Sequence, residues 1–203
     1  MNILLIGATG KLGTAVHSAL ADRGHRILTV GRTAGDLRHD ITDPDEITAL
    51  YDAAHGAVGT LDAVVSAAGD VPYKPVAQMT PDDHLAAFRG KVLSQIELVR
   101  QGLTRVAERG SFTLITGVLG HDPIPLGSAA SVANGAVDAF VRAAAVKIAP
   151  RRVNAVSPTL FTESVPDYGD FFPGVRPVDV ADVAQAYVRS VEGSHTGRIF
   201  ELS

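Results

Sequence analysis

The chain has no cysteine and no tryptophan. Without thiols there are no disulfides, thiolate metal ligands or thiolate nucleophiles, and the compartment is left open, with a reducing cytosol as the default. Charge of one sign is not in excess either. Eighteen Lys and Arg stand against 22 Asp and Glu, a formal net charge of −4, which makes no electrostatic case for nucleic acid or an anionic membrane. No apolar run approaches the roughly 20 residues of a membrane span. The opening MNILLIGATG lacks the basic n-region of a secretory signal and runs straight into a glycine turn, so it reads as a strand. The seven histidines are scattered without partners at metal-ligand spacing, and no metal site is expected. What is present is 203 residues with 46% hydrophobic content, sized for one compact domain over residues 1–203.

Short apolar, β-branched runs alternate with longer helical patterns. The runs are Ile3–Ile6, Ile27–Val30, Ala63–Ser66, Phe112–Thr116, Val153–Val156 and Ile199–Leu202, and helical stretches lie near 11–23, 44–55, 82–108, 128–148 and 178–192. Strands alternating with helices predict a parallel sheet wrapped on both faces. Runs apolar throughout are those of strands buried on both sides. Thr42-Asp43-Pro44 and Thr80-Pro81-Asp82-Asp83 place capping residues and a first-turn proline at two helix starts. Residues 158–177, rich in Pro, Gly and aromatics, form the one long irregular stretch and are expected to be a lid or binding loop.

The segment GATGKLG, with Gly7, Gly10 and Gly13, follows the first strand and opens the first helix. Glycine there lets the backbone turn tightly and approach a pyrophosphate, while the helix N-terminus offers free N–H groups to the anion. Strand–turn–helix context raises this pattern well above a lone glycine motif. About 20 residues further on, a carboxylate would bind the ribose 2′-hydroxyl of NAD. The second strand instead ends in Val30-Gly31-Arg32-Thr33. A guanidinium suits a 2′-phosphate bidentately, and Lys11 is expected to add a second positive charge nearby. NADP(H) is therefore the expected cofactor, although Arg32 alone also reads as a solvated strand-end charge.

These features resemble the short-chain dehydrogenase/reductase family over essentially the whole chain. Gly7-Ala8-Thr9-Gly10-Lys11-Leu12-Gly13 resembles its cofactor turn, and Asp40-Ile41 the pair that contacts adenine. Ser66-Ala67-Ala68-Gly69 stands where the family has Asn-Asn-Ala-Gly, and Asn154-Ala155-Val156-Ser157-Pro158 resembles the segment leading to the nicotinamide. The resemblance implies a single-domain Rossmann-like, doubly wound parallel sheet of about seven strands, with a dinucleotide across its switch point. It assigns cofactor contacts to Gly7, Thr9, Gly10, Lys11, Leu12, Gly13, Arg32, Thr33, Asp40, Ile41, Ala67, Ala68, Gly69, Lys91, Pro158, Thr159, Leu160 and Thr162. It also implies a small-molecule substrate and a homodimer or homotetramer built on the fourth and fifth helices.

The family's catalytic Asn, Ser, Tyr and Lys fall on Lys91, Gly117 (with Thr116 just before it), Ala130 and Asn134, so all four positions depart from the pattern. The Asn and Lys positions have exchanged residue types. Such an exchange would keep an ammonium from Lys91 and an amide from Asn134 on one pocket floor; the plainer alternative is a solvated helix lysine and an interhelical asparagine. The missing phenol is expected to leave a gap at Ala130. Thr116, Ser128, Ser131, His121, Tyr73 and Tyr168 are the candidates to project into it. His121 has the pKa range for acid–base work, but it also reads as a surface histidine paired with Asp122. Phe161, Phe171 and Phe172 form either an apolar substrate chamber or lid packing. The expected function is an NADP(H)-dependent oxidoreductase acting on a small carbonyl or conjugated compound with Lys91, Thr116, Asn134 and His121 as its modified set. A non-redox NADP(H)-binding sensor or scaffold, or a redox-neutral enzyme, remains the alternative.

Overall fold

A computed structural model describes all 203 residues. Seven parallel strands form one sheet: β1 (Asn2–Ile6), β2 (Arg26–Gly31), β3 (Leu37–Arg38), β4 (Leu61–Ser66), β5 (Val106–Ile115), β6 (Arg152–Pro158) and β7 (Ile199–Leu202). Their order is β3-β2-β1-β4-β5-β6-β7, the doubly wound arrangement, with the chain reversing its direction of winding between β1 and β4. The helices are α1 (Lys11–Ala21), α2 (Pro44–Val58), α3 (Pro81–Ala87), α4 (Ser94–Gly102), α5 (Ser128–Ala145), the short α6 (Val165–Tyr168) and α7 (Val180–Glu192). No helix is long and apolar enough to cross a membrane.

Alternate strand residues feed two separate cores, as the pleat requires. Leu4, Val64 and Phe112 pack with Leu50, Leu98 and Val137 from α2, α4 and α5. Ile3, Leu5 and Val65 pack on the other face with Val16 of α1 and Tyr187 of α7.

The two predicted caps form. Asp43 accepts the Asp45 amide (2.9 Å) at the start of α2. Thr80 and Asp83 close a reciprocal capping box at α3, satisfying amides that the helix itself leaves free.

The predicted helix over 82–108 is not continuous and ends early. Between α3 and α4 the chain makes one wide π-type turn, Phe88–Leu93. After Gly102, which must be glycine because a Cβ there would lie 2.5 Å from the Phe112 ring and 2.6 Å from the Tyr51 hydroxyl, the chain turns into β5. Val106 already pairs with Leu61. The two-residue β3 had no periodic signal and went unpredicted.

Gln95 of α4, fully buried, clamps the end of β5. Its carbonyl accepts the Ile115 amide (2.8 Å), and its NH₂ donates to the carbonyls of Ile115 and Lys91 (both 2.9 Å). The expected outcome for Gln95→Leu is a loss of about 2 kcal/mol in urea unfolding, because the backbone polar groups of Ile115 are left buried and unpaired.

Candidate functional site

The carboxyl ends of β1, β4, β5 and β6 converge on one edge of the sheet, and the site is built there. Gly7 leaves β1 at φ +79°, and a Cβ on it would lie 2.9 Å from the Ala67 carbonyl carbon. A Cβ at Gly13 would stand 2.0 Å from the Gly7 carbonyl oxygen, whereas one at Gly10 meets nothing closer than 3.6 Å. Gly7 and Gly13 are therefore steric requirements of the turn, and Gly10 keeps the approach to it open. Helix α1 has no side-chain cap and no acidic residue in its first turn, unlike α2 and α3. Its first amides are left for an external acceptor, the arrangement that binds phosphate. This cradle fits a dinucleotide diphosphate.

Two cavities extend from the turn. One, of about 910 Å³, is lined by Gly7, Thr9, Arg32, Thr33, Asp40, Ile41, Ala68 and Gly69. Arg32 makes no ion pair. Asp40 is held below the usual carboxylate range chiefly by the Thr42 amide and hydroxyl, with a smaller contribution from Arg32. The first carboxylate after β2 in the sequence, Asp36, is engaged by the Thr29 amide and hydroxyl (2.9 and 2.7 Å) and does not line the cavity.

The second cavity, about 570 Å³, shares Gly69 with the first and is lined by Gly10, Lys11, Leu12, Ala67, Lys91, Thr116 and Pro158. Lys11 points here, away from Arg32. Its ammonium donates to the Glu163 carbonyl (2.7 Å) and pairs with Asp167 at 3.5 Å, so the expected second charge beside Arg32 is absent. The reason is geometric: as the first residue of α1, Lys11 projects toward the segment after β6.

Lys91 sits in the wide turn between α3 and α4. Its stem packs over Gly69, where a Cβ would be 3.1 Å from Lys91 Cγ, and its ammonium donates to the Thr116 carbonyl (3.2 Å). It is a half-buried floor residue, not a solvated helix lysine. Loss of water pushes its pKa down to about 8, with Asp138 opposing the shift. Asp138 lies one turn beyond Asn134 on α5. Burial raises its own pKa, against the lowering effects of the Thr116 hydroxyl, Arg142 and His121.

Asn134 does not reach the cleft. Its main-chain oxygen accepts the Thr116 hydroxyl (3.1 Å), while its amide lies behind Gly117, where a Cβ would be 3.1 Å from Asn134 Nδ2. The room that a serine side chain would occupy at 117 is thus taken by the asparagine. The exchange of Lys91 and Asn134 supplies the ammonium to the floor and withholds the amide. Ala130 is buried and lines none of the three cavities at this edge of the sheet, so the expected gap does not open into them. Ser128 and Ser131 have buried hydroxyls without partners, His121 is exposed with no ion pair to Asp122, and Thr162 is exposed with its amide bonded to Val178 (2.9 Å).

A third cavity, about 450 Å³, is lined by Thr159, Leu160, Phe161, Phe171 and Phe172 together with Tyr73, Ile124, Leu126 and Tyr168. The phenylalanines therefore wall a chamber rather than merely pack a loop. Sequence reasoning missed Gln95, Asp138 and Ser164. Only Asp138 had a signal, its i+4 spacing from Asn134.

A family model described as enoyl-(acyl carrier protein) reductase matches residues 11–187. The chain belongs to the short-chain dehydrogenase/reductase family. Versicolorin reductase stcU of Emericella nidulans is 30% identical over 176 residues, 76% of this chain and 67% of that protein. The solved structure of protein lin1944 from Listeria innocua is 41% identical, covers both chains fully and superposes with a TM-score of 0.95. A small-chain dehydrogenase solved in complex with NADPH is 22% identical, with a TM-score of 0.85 over 100% of this chain and 96% of its own, and shares the fold. The family's sheet order and switch-point cleft are thus those of this chain.

The Lys91 shift has a signed consequence. Below pH 8 the folded protein holds the ammonium at a cost. Between about 8 and the ordinary value of 10.5 the unfolded chain binds more protons, so this group's contribution to stability rises with pH. The stability of the wild type relative to Lys91→Met is expected to rise over that window, and nitrogen NMR of Lys91 is expected to show titration near 8. A midpoint near 10.5 overturns the assignment.

Proposed function

We propose that this protein is an NADP(H)-dependent oxidoreductase acting on a small organic carbonyl or conjugated compound, with altered polar groups in place of the family's Asn-Ser-Tyr-Lys. The observation that carries this reading is the continuity of the surface. The cavity beside Arg32 shares Gly69 with the cleft over Lys91 and Thr116, and that cleft shares Phe161, Ser164 and Tyr168 with the apolar chamber. Adenosine-phosphate, diphosphate, nicotinamide-ribose and substrate sites then follow in order along one groove.

Gly7, Thr9, Gly10 and the first amides of α1 hold the diphosphate, with Leu12 and Gly13 keeping the turn closed. Arg32 and Thr33 receive the 2′-phosphate, and Asp40 and Ile41 flank the adenine. Ala67, Ala68, Gly69, Lys91 and Pro158 border the ribose and nicotinamide. A nicotinamide supplies hydride chemistry when bound, leaving the protein to position and polarise. Lys91 places positive charge on the floor, and Thr116 fixes that ammonium through its carbonyl. Residues 158–177 act as the lid, tied to α1 through Lys11 and to α7 through Glu163, whose carboxylate accepts the Val180 amide (3.2 Å). The NADPH complex of the structural neighbour supports the cofactor at the level of fold. Exposed Leu85, Phe88, Leu93 and Val132 on the faces of α3 to α5 support a homo-oligomer.

A second reading, a non-redox NADP(H)-binding protein, is favoured by one observation: the family's phenol and serine positions hold a buried Ala130 and Gly117. Turnover separates the two. NADPH absorbance is expected to fall with a member of a panel of aldehydes, ketones, quinones and enones; tight binding with no oxidation supports the second reading. Arg32→Ala is expected to weaken NADPH roughly 10- to 100-fold, the value of a lost charge-assisted bidentate contact, and to leave NADH unchanged. Equal losses for both nucleotides overturn the 2′-phosphate assignment.

A further inference from the structure

The third cavity is walled by loops from three strand ends. The segment after β5 contributes Ile124 and Leu126, and the Leu126 carbonyl accepts the Lys74 amide (3.2 Å). That bond holds the loop carrying Tyr73 against it. The segment after β6 adds Phe161, Phe171 and Phe172. This last segment is pinched at its neck, where Thr162 donates to the Val178 carbonyl and Val178 to that of Leu160 (both 2.9 Å), so the chamber wall is a closed loop with fixed ends.

No lining residue of the chamber is charged. Lys11 and Asp167 line the neighbouring cleft and pair with each other. A carboxylate or phosphate placed in the chamber would give up its hydration with no cation among the lining residues to pair with it, whereas a neutral ring gains apolar burial and edge-to-face contacts with the phenylalanines. Tyr73, Tyr168 and Phe171 are also among the most exposed large aromatics of the chain, and all three surround this one space. An exposed aromatic cluster of this kind marks a binding surface.

The polar handle is equally specific. Of the four tyrosines, Tyr51 and Tyr187 donate to the carbonyls of Leu98 and Ser66. The hydroxyls of Tyr73 and Tyr168 have no partner within the chain, and Tyr168 alone of the two lines both the chamber and the cleft over Lys91.

We propose that the chamber takes an uncharged, ring-bearing carbonyl compound, its ring among Phe161, Phe171 and Phe172 and its oxygen accepting a hydrogen bond from the Tyr168 hydroxyl where chamber and cleft meet. That the bound carbonyl is the reacting group rests on the oxidoreductase reading; the binding itself does not.

The test is titration calorimetry of the full chain, with and without NADP⁺, using α-tetralone, its hydrocarbon tetralin and the charged keto acid phenylpyruvate. Tetralone is expected to bind at least tenfold more tightly than phenylpyruvate. Tyr168→Phe is expected to weaken tetralone three- to tenfold, the value of one hydrogen bond, while tetralin stays within twofold. Phe171→Asp is expected to weaken both ring compounds at least tenfold. Phenylpyruvate binding as tightly as tetralone, or no tetralone binding in either condition, overturns the ligand class. Equal losses of tetralone and tetralin in Tyr168→Phe overturn the hydrogen bond. Tetralone binding in a protein that fails to take up NADPH sinks the cofactor reading and leaves this proposal standing.

Discussion

The close approach of backbone to backbone at the switch point governs this molecule. Gly7 rests against the main chain of Ala67, and Gly13 brings the first turn of α1 onto the Gly7 carbonyl with no room for a methyl group. These contacts set the angle of α1, leave its first amides pointing outward without a cap, and open the groove between β1 and β4. Every other part of the site is arranged around that groove. The carboxyl ends of β5 and β6 supply its far wall because all strands run the same way, so their loops emerge on one edge.

The floor of the groove depends on a second local departure from regularity. A continuous α-helix through residues 81–102 would carry Lys91 past its position over Gly69. The wide turn at Phe88–Leu93 shifts the helix phase there, a geometry often met at functional positions. Gln95 anchors the turn to the end of β5 through three hydrogen bonds. With that backbone held, the ammonium is forced into a poorly hydrated site, which depresses its pKa, and Asp138 beyond Thr116 partly offsets the cost. The asparagine at 134 fits the same logic. Filling the volume behind Gly117, it supports the strand end on which Lys91 is seated and does not contact the cleft.

The far end of the groove is chemically different from its middle. Charged side chains line the other two cavities, among them Arg32, Asp40 and Asp70 in one and Lys11, Lys91 and Asp167 in the other, and none lines the chamber beyond Tyr168. The segment after β6 is bound to the scaffold on its polar side, through Lys11 and Glu163. Its aromatic side faces inward.

Much of the fold was legible in the sequence because it rests on local signals. Glycine spacing marked the turn, apolar β-branched runs marked buried strands, and Asp43 and Thr80 marked two helix starts. Arg32 at the end of β2 was readable for the same reason. What failed depended on residues distant in the chain. Gly102 near the end of α4 excludes a side chain because the Phe112 ring and the Tyr51 hydroxyl stand against it, and nothing within the helix announces that. Lys11 faces the segment after β6 rather than Arg32 because helix direction, not sequence distance, sets where its side chain goes. The absence of a phenol at Ala130 was plain from the sequence, but the burial of that position away from the three cavities was not, nor was the union of three loops into one uncharged chamber. Side-chain periodicity and turn chemistry are properties of neighbours along the chain. Cavities and desolvation belong to surfaces brought together by folding, and only the tertiary structure decides them.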